Sequence, residues 1–209
     1  ELDHAENFVR AIRTAVGKNC DILFGSHGQM TPASAIRLAK RIEKFDPMWL
    51  EEPTPPANIT AMASIAKKIN IPVATGERLT TKYEFITLLK EEAASIVQMN
   101  LGRVGGILEA KKIAAIAEAS YAQVAPHMYC GPIIAAANVQ VAASISNFLI
   151  IEGIETWSGF DASLIIDPLK WEDGYIVPSD KPGLGIEINE NKLEEYPYNE
   201  SKLHLEMSD

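Results

Sequence analysis

Six short apolar runs recur along the chain at nearly equal intervals, and each closes on a glycine or a polar residue. They are "DILFG" to Gly25, "MWLEEP" around Glu51, "IPVATGE" to Glu77, "SIVQMN" to Asn100, "QVAPH" to His127 and "FLIIE" to Glu152, spaced by 26, 26, 23, 27 and 25 residues. Between them lie segments such as "PASAIRLAKRIEKF", "KYEFITLLKEEA" and "GILEAKKIAAIAEAS", whose apolar residues return every three or four positions. Helix-start chemistry precedes several of these: Thr31 with Pro32, Thr81 before Lys82, and Gly131 with Pro132. Alternation of strand and helix on this period is the pattern of repeated βαβ units. The nearly continuous apolar character of the runs suits a parallel sheet covered on both faces.

A closed (β/α) barrel and an open doubly wound sheet both satisfy that pattern. The barrel is favoured because polar groups end almost every strand, and in a barrel all those ends converge on one rim. In an open sheet only the strands beside the topological switch would need them. The glycine-rich loop "GRVGG", residues 102–106, lacks the spacing of a dinucleotide fingerprint. The expected fold is therefore α/β, a TIM-type barrel represented by about strands three to eight, with a leading helix from His4 to Val16 and two further βα units expected upstream. The chain does not begin with methionine and reads as a piece that starts inside a fold. Residues 1–160 are assigned to the partial barrel. The tail, 161–209, changes character, with Gly/Pro turns, two short strand candidates, an acidic end, and Trp171, Tyr175, Ile176 and Ile186 to bury.

The 209-residue chain carries a formal net charge of −9. With no Lys/Arg run, it lacks the main electrostatic term for binding nucleic acid or an anionic membrane. No stretch reaches the length of a membrane span. Cys20 and Cys130 form neither a disulfide framework nor a zinc pattern, which points to reduced thiols and a cytoplasmic protein.

At the strand ends, Glu51 and Glu77 close neighbouring strands and would share one rim. Two carboxylates held close repel unless a cation or proton lies between them. Mg²⁺ suits such a pair, since it takes a few carboxylates plus water and substrate oxygens. The other reading is a solvated pairing with Lys or Arg, such as Arg78. His27 and His127 end strands on the same rim, where an imidazole could take or give a proton near neutral pH. His4 and His204 fall outside the repeat and read as surface residues.

Taken together, "WLEEP", "PVATGERL", "SIVQMNLGRVGGILEAKKIAAIAEA", "VAPHMYCGPIIAAAN", "FLIIE" and "PGLGIEI" resemble the mandelate racemase/muconate lactonizing enzyme family of the enolase superfamily, on the side of its acid-sugar dehydratases of the galactonate dehydratase type. The resemblance implies a (β/α)₇β barrel with an α+β capping domain, completed by the tail from about Asp161. It implies Mg²⁺ as cofactor, a small sugar acid or hydroxy acid as substrate, an enediolate intermediate and a homo-oligomer. By position Glu51 and Glu77 match the second and third metal ligands. His127 matches the base that removes the proton α to the carboxylate. Glu152 matches an acid that hydrogen-bonds the substrate carboxylate, and His27 matches the acid that protonates the departing β-hydroxyl.

Two departures stand out. Gly25 occupies the place of the first metal-binding aspartate, so His27, Asp21 or water would have to compensate. Asn100 occupies the place of the aspartate that pairs with the catalytic histidine; an amide can orient His127 but cannot stabilise an imidazolium as a carboxylate does. The leading expectation is a Mg²⁺-dependent hydro-lyase. The alternatives are a racemase or epimerase, and a barrel that binds a small acid with impaired catalysis. Arg78 and Arg103 could clamp a substrate group, Met128, Tyr129 and Cys130 could shape the pocket, and Trp157 and Trp171 are expected to pack the cap.

Overall fold

The computed structural model describes residues 1–153 and 157–197; His204 lies outside the described residues. Helix α1 (Leu2–Val16) leads into β1 (Leu23–Gly25), α2 (Pro32–Ile42), a 3₁₀ turn (Glu43–Phe45), β2 (Trp49–Glu51), α3 (Ile59–Ala66), β3 (Val73–Thr75), α4 (Lys82–Lys90), β4 (Ile96–Val97), α5 (Leu101–Val104), α6 (Ile107–Ala119), β5 (Gln123–Val124) and α7 (Pro132–Ala143). The five strands form one parallel sheet in the order β1-β2-β3-β4-β5. Chain order equals spatial order throughout, so the described sheet contains no reversal of the kind that places a ligand crevice in a doubly wound fold. It is a barrel wall.

Neighbouring residues of each strand enter different clusters, as the twofold alternation of a strand requires. Trp49, Ala74, Ile96 and Ala125 pack together on one face. Val73, Val97 and Val124 turn to the other face, against Met62, Phe85, Leu88 and Ile113 of the helical layer. Leu50 and Ile22 meet Val9, Leu38 and Ile42 in a separate cluster under α1 and α2. Burial on both faces explains why the runs carry almost no polar residue before their ends.

The helix starts follow the local chemistry. Thr31 accepts from Ser34 N ahead of Pro32, and Thr81 and Glu84 form a reciprocal capping box. The loop "GRVGG" holds a single helical turn, α5, capped by Asn100. The expected sixth strand is much reduced. The segment around Phe148 makes one parallel bridge to Val124, with Val124 N–H donating to Asn147 O at 2.8 Å and Leu149 N–H to Val124 O at 2.8 Å. A strand extends only as far as its partners do, and this one has β5 on one side alone.

The tail comprises α8 (Gly159–Ser163), an antiparallel hairpin of β6 (Lys170–Glu172) and β7 (Tyr175–Val177), and α9 (Glu190–Glu195). Ile165 bridges Ile188 within it. Trp171 lies against Gly153 and its ring centroid is 6.4 Å from that of Trp157. Tyr175, expected to be buried, is exposed. Among the described residues no helix is long and apolar enough to cross a membrane.

Candidate active site

Parallel register carries the strand ends to one rim. Gly25 pairs with Glu51, and Glu51 pairs with Ala74, three residues before Glu77. The Glu51 carboxylate accepts hydrogen bonds from Trp49 Nε1 at 3.1 Å and Gln98 Nε2 at 2.6 Å, both at Oε2. Burial pushes its carboxyl above the ordinary range, the Gln98 and Trp49 bonds oppose this, and the charges of Glu77 and Glu152 add to it. Three acids therefore act on one another here.

Glu77 lies between the two histidines. Its Oε1 is 3.4 Å from His27 Nε2 and its Oε2 is 3.5 Å from His127 Nε2. His127 Nε2 also lies 3.9 Å from Glu152 Oε2, and that carboxylate accepts from Met128 N–H at 2.6 Å. Behind the ring, His127 Nδ1 is 2.8 Å from Asn100 Nδ2. Glu51, Glu77, His27, His127, Glu152 and Asn100 thus surround a common region. Neither Glu51 nor Glu77 is paired with Arg78.

Arg78 has a different partner. Its Nε and Nη2 donate to Oε2 of Glu52 at 2.9 and 2.5 Å, so it clamps a carboxylate of its own chain rather than standing free for a substrate. Glu52 is fully buried, and its Oε1 accepts from Thr75 Oγ1 and from Gly76 N–H. The guanidinium passes over Gly28, where a Cβ would collide with Nη2. The loop bearing His27 is further stitched to the end of β2: Ser26 Oγ donates to Glu51 O and Glu52 O at 2.8 and 2.9 Å, and Gly28 N–H donates to Glu52 O at 2.6 Å. His27 and Gly28 both take positive φ, 52° and 70°, and Gln29 N–H closes the turn onto Ser26 O. This is why a histidine sits directly before a glycine at the end of β1: the turn aims the imidazole back at Glu77.

Sequence reading missed Glu52 and Gln98. Gln98 did carry a signal, being two residues before Asn100 and so on the same strand face. Asp21 requires a correction. It precedes β1 while Gly25 ends it, and four residues of strand put it about 13 Å from the rim, too far to replace a ligand. A side chain at position 25 would emerge at the rim, its Cβ 3.7 Å from Glu51 Oε1. Among the described residues no set of three or more His, Cys, Asp or Glu side chains is arranged to hold a metal ion, and His27 Nε2 faces Glu77 Oε1 at 3.4 Å. The donor set nevertheless suits Mg²⁺: two carboxylates whose charges oppose each other, with water and substrate oxygens completing the shell.

Other candidates divide. Met128 is buried beneath the rim and Tyr129 is exposed. Burial, then the charge of Glu152, pushes the Cys130 thiol up to about 11, which disfavours the nucleophilic thiolate. Trp157 Nε1 donates to Cys130 O at 3.2 Å, which joins the tail to the loop following His127.

The chain is similar to known proteins over most of its length. A family model described as enolase C-terminal domain-like matches residues 1–192. The chain is 36% identical over 194 residues to a D-xylonate dehydratase of Haloferax volcanii, covering 93% of this chain and 47% of that protein. It is 36% identical over 198 residues to a D-gluconate/D-galactonate dehydratase of Picrophilus torridus, covering 94% and 50%. A crystal structure of a mandelate racemase/muconate lactonizing enzyme from a Sulfitobacter species superposes with a TM-score of 0.91 at 51% identity, covering 100% of this chain and 52% of the other. The chain spans about half the length of the relatives it matches.

Proposed function

Because the chain belongs to the enolase C-terminal domain-like family, within the mandelate racemase/muconate lactonizing enzyme branch, we propose that it carries the strand-end half of a Mg²⁺-dependent sugar-acid dehydratase site. The observation that carries this reading is the placement of Glu77 between two imidazoles, 3.4 Å from His27 and 3.5 Å from His127, beside a Glu51 whose carboxyl is already disfavoured as an anion. The relatives named as xylonate, gluconate and galactonate dehydratases support the same chemistry.

In this proposal Glu51 and Glu77 would hold Mg²⁺, with Glu51 fixed by Gln98 and Trp49 and the loops around it braced through the Glu52–Arg78 clamp. When bound, the ion supplies positive charge next to the substrate carboxylate and makes the neighbouring C–H acidic enough to ionise. His127 Nε2 takes that α-proton. The C–O bond to the β-hydroxyl then breaks as His27 delivers a proton to the leaving oxygen, giving water and an enol that becomes a 2-keto-3-deoxy acid. Glu152 orients the substrate carboxylate next to His127. The tail from about Asp161 completes a capping domain over the rim, and the protein assembles as a homo-oligomer.

Incubation with a panel of sugar acids and Mg²⁺ in D₂O tests the reading. A 2-keto-3-deoxy product is expected. Deuterated starting acid without a keto product would instead identify a racemase or epimerase. Gly25 and Asn100 favour a second reading, a small-acid-binding barrel with impaired catalysis, for which neither product forms.

A further inference from the structure

Hydrogen bonds behind His127 determine where a neutral ring carries its single proton. The backbone N–H of Gly102 can only donate, and it lies 2.9 Å from Asn100 Oδ1. That contact assigns the amide oxygen to Gly102 and turns the NH₂ group to His127, with Nδ2 2.8 Å from Nδ1. An amide nitrogen offers no lone pair, so Nδ1 must accept and the proton resides on Nε2. The opposite tautomer needs the Asn100 amide turned over. Asn100 is buried, and turning it would set its NH₂ against the Gly102 N–H, two donors facing each other without an acceptor.

We propose that Asn100 is a positioning residue that holds neutral His127 as the Nε2–H tautomer, so that the ring rests with a proton donor toward the pocket and becomes a base only after the amide turns over. A carboxylate at position 100 would accept from both Gly102 N–H and Nδ1–H with no rearrangement and leave the Nε2 lone pair free. In serine-protease triads, exchanging the aspartate behind the histidine for asparagine leaves the geometry intact and lowers turnover about 10⁴-fold by imposing the wrong tautomer. The consequence for rate rests on the reading of His127 as the base; the position of the proton does not.

The test combines ¹⁵N-histidine NMR of the intact protein with steady-state formation of the keto acid. His127 is identified by the resonances lost in His127→Gln. The wild type is expected to show a pyrrole-type nitrogen at Nε2 and a pyridine-type nitrogen at Nδ1. In Asn100→Asp the two exchange, and kcat rises by on the order of 10-fold or more while KM stays within about twofold. A pyridine-type Nε2 in the wild type overturns the proposal whether or not the protein is active and whether or not the variant folds. Exchange of the nitrogens with no gain in kcat in an active enzyme overturns the link to the base. Exchange in a protein that dehydrates nothing upholds the tautomer assignment and counts against the dehydratase reading alone.

Discussion

At Gly25 a single added carboxylate is predicted to change the proposed metal site most. Its backbone lies outside the left-handed region and a Cβ there meets only Glu51 Oε1, at the ordinary contact distance of 3.7 Å, so Gly25→Asp fits without displacing the strand. The variant is expected to bind Mg²⁺ about tenfold or more tightly by calorimetry. It is also expected to lower the melting temperature of the metal-free protein, because a further acid adds to the repulsion that, after burial, already raises Glu51. A variant that binds no better would show that residue 25 does not face the metal. The residues legible in the sequence were those that end strands, Glu51, Glu77, His27, His127 and Glu152, since the repeat alone sends them to one rim. For Gln98 only its strand face was legible and for Glu52 nothing was, because their roles come from partners across strands: Gln98 matters through the Glu51 oxygen it reaches, and Glu52 through Arg78 and Thr75.

Among the elements, the loops after β1, β2 and β3 are tied together by one ion pair. Arg78 comes from the β3 loop, Glu52 from the β2 end, and the guanidinium lies over Gly28 of the β1 turn. Glu52 is fully buried, so Arg78→Met leaves a carboxylate without its cation and is expected to cost about 3 kcal/mol in chemical denaturation, the range for breaking a buried pair. The double variant Glu52→Gln/Arg78→Met should cost clearly less than Arg78→Met alone, because the stranded charge is gone; equal costs would mean the clamp is only packing. The α4 capping box gives a pH-dependent counterpart. Burial alone would raise the Glu84 carboxyl, but bonds from Thr80 and Thr81 outweigh it and hold it below the ordinary range. A depressed acid contributes stability above its unfolded value, and the contribution is lost as pH falls through the folded one. The stability gap between wild type and Glu84→Ala is therefore expected to be full at pH 7 and to close below about pH 4. Helix starts of this kind were readable because capping is local. The shrinkage of the sixth strand was not, since a strand's length depends on neighbours that the run "FLIIE" does not encode.

For the molecule as a whole, the sequential strand order does for the site what no single residue can, bringing acids and imidazoles from loops about 25 residues apart to one rim. That order was legible from the even spacing of the polar strand ends. The outer edge was not, because the described sheet stops at β1 on one side and at a single bridge on the other. A site built across so many separate strand ends couples ligand binding to the integrity of the sheet. Metal that binds only the folded state stabilises it by mass action, about 2.7 kcal/mol at a concentration a hundredfold above Kd, which for a chain of this size is roughly 5–10 °C in Tm. Saturating Mg²⁺ is expected to produce such a shift in the wild type, and Ca²⁺ a smaller one if the two carboxylates define the cavity. Glu51→Gln and Glu77→Gln should each remove most of the shift. Without metal, Glu51→Gln relieves a buried charge and is expected to raise Tm, so that the variant gains stability in the apo state while losing the Mg²⁺-dependent shift.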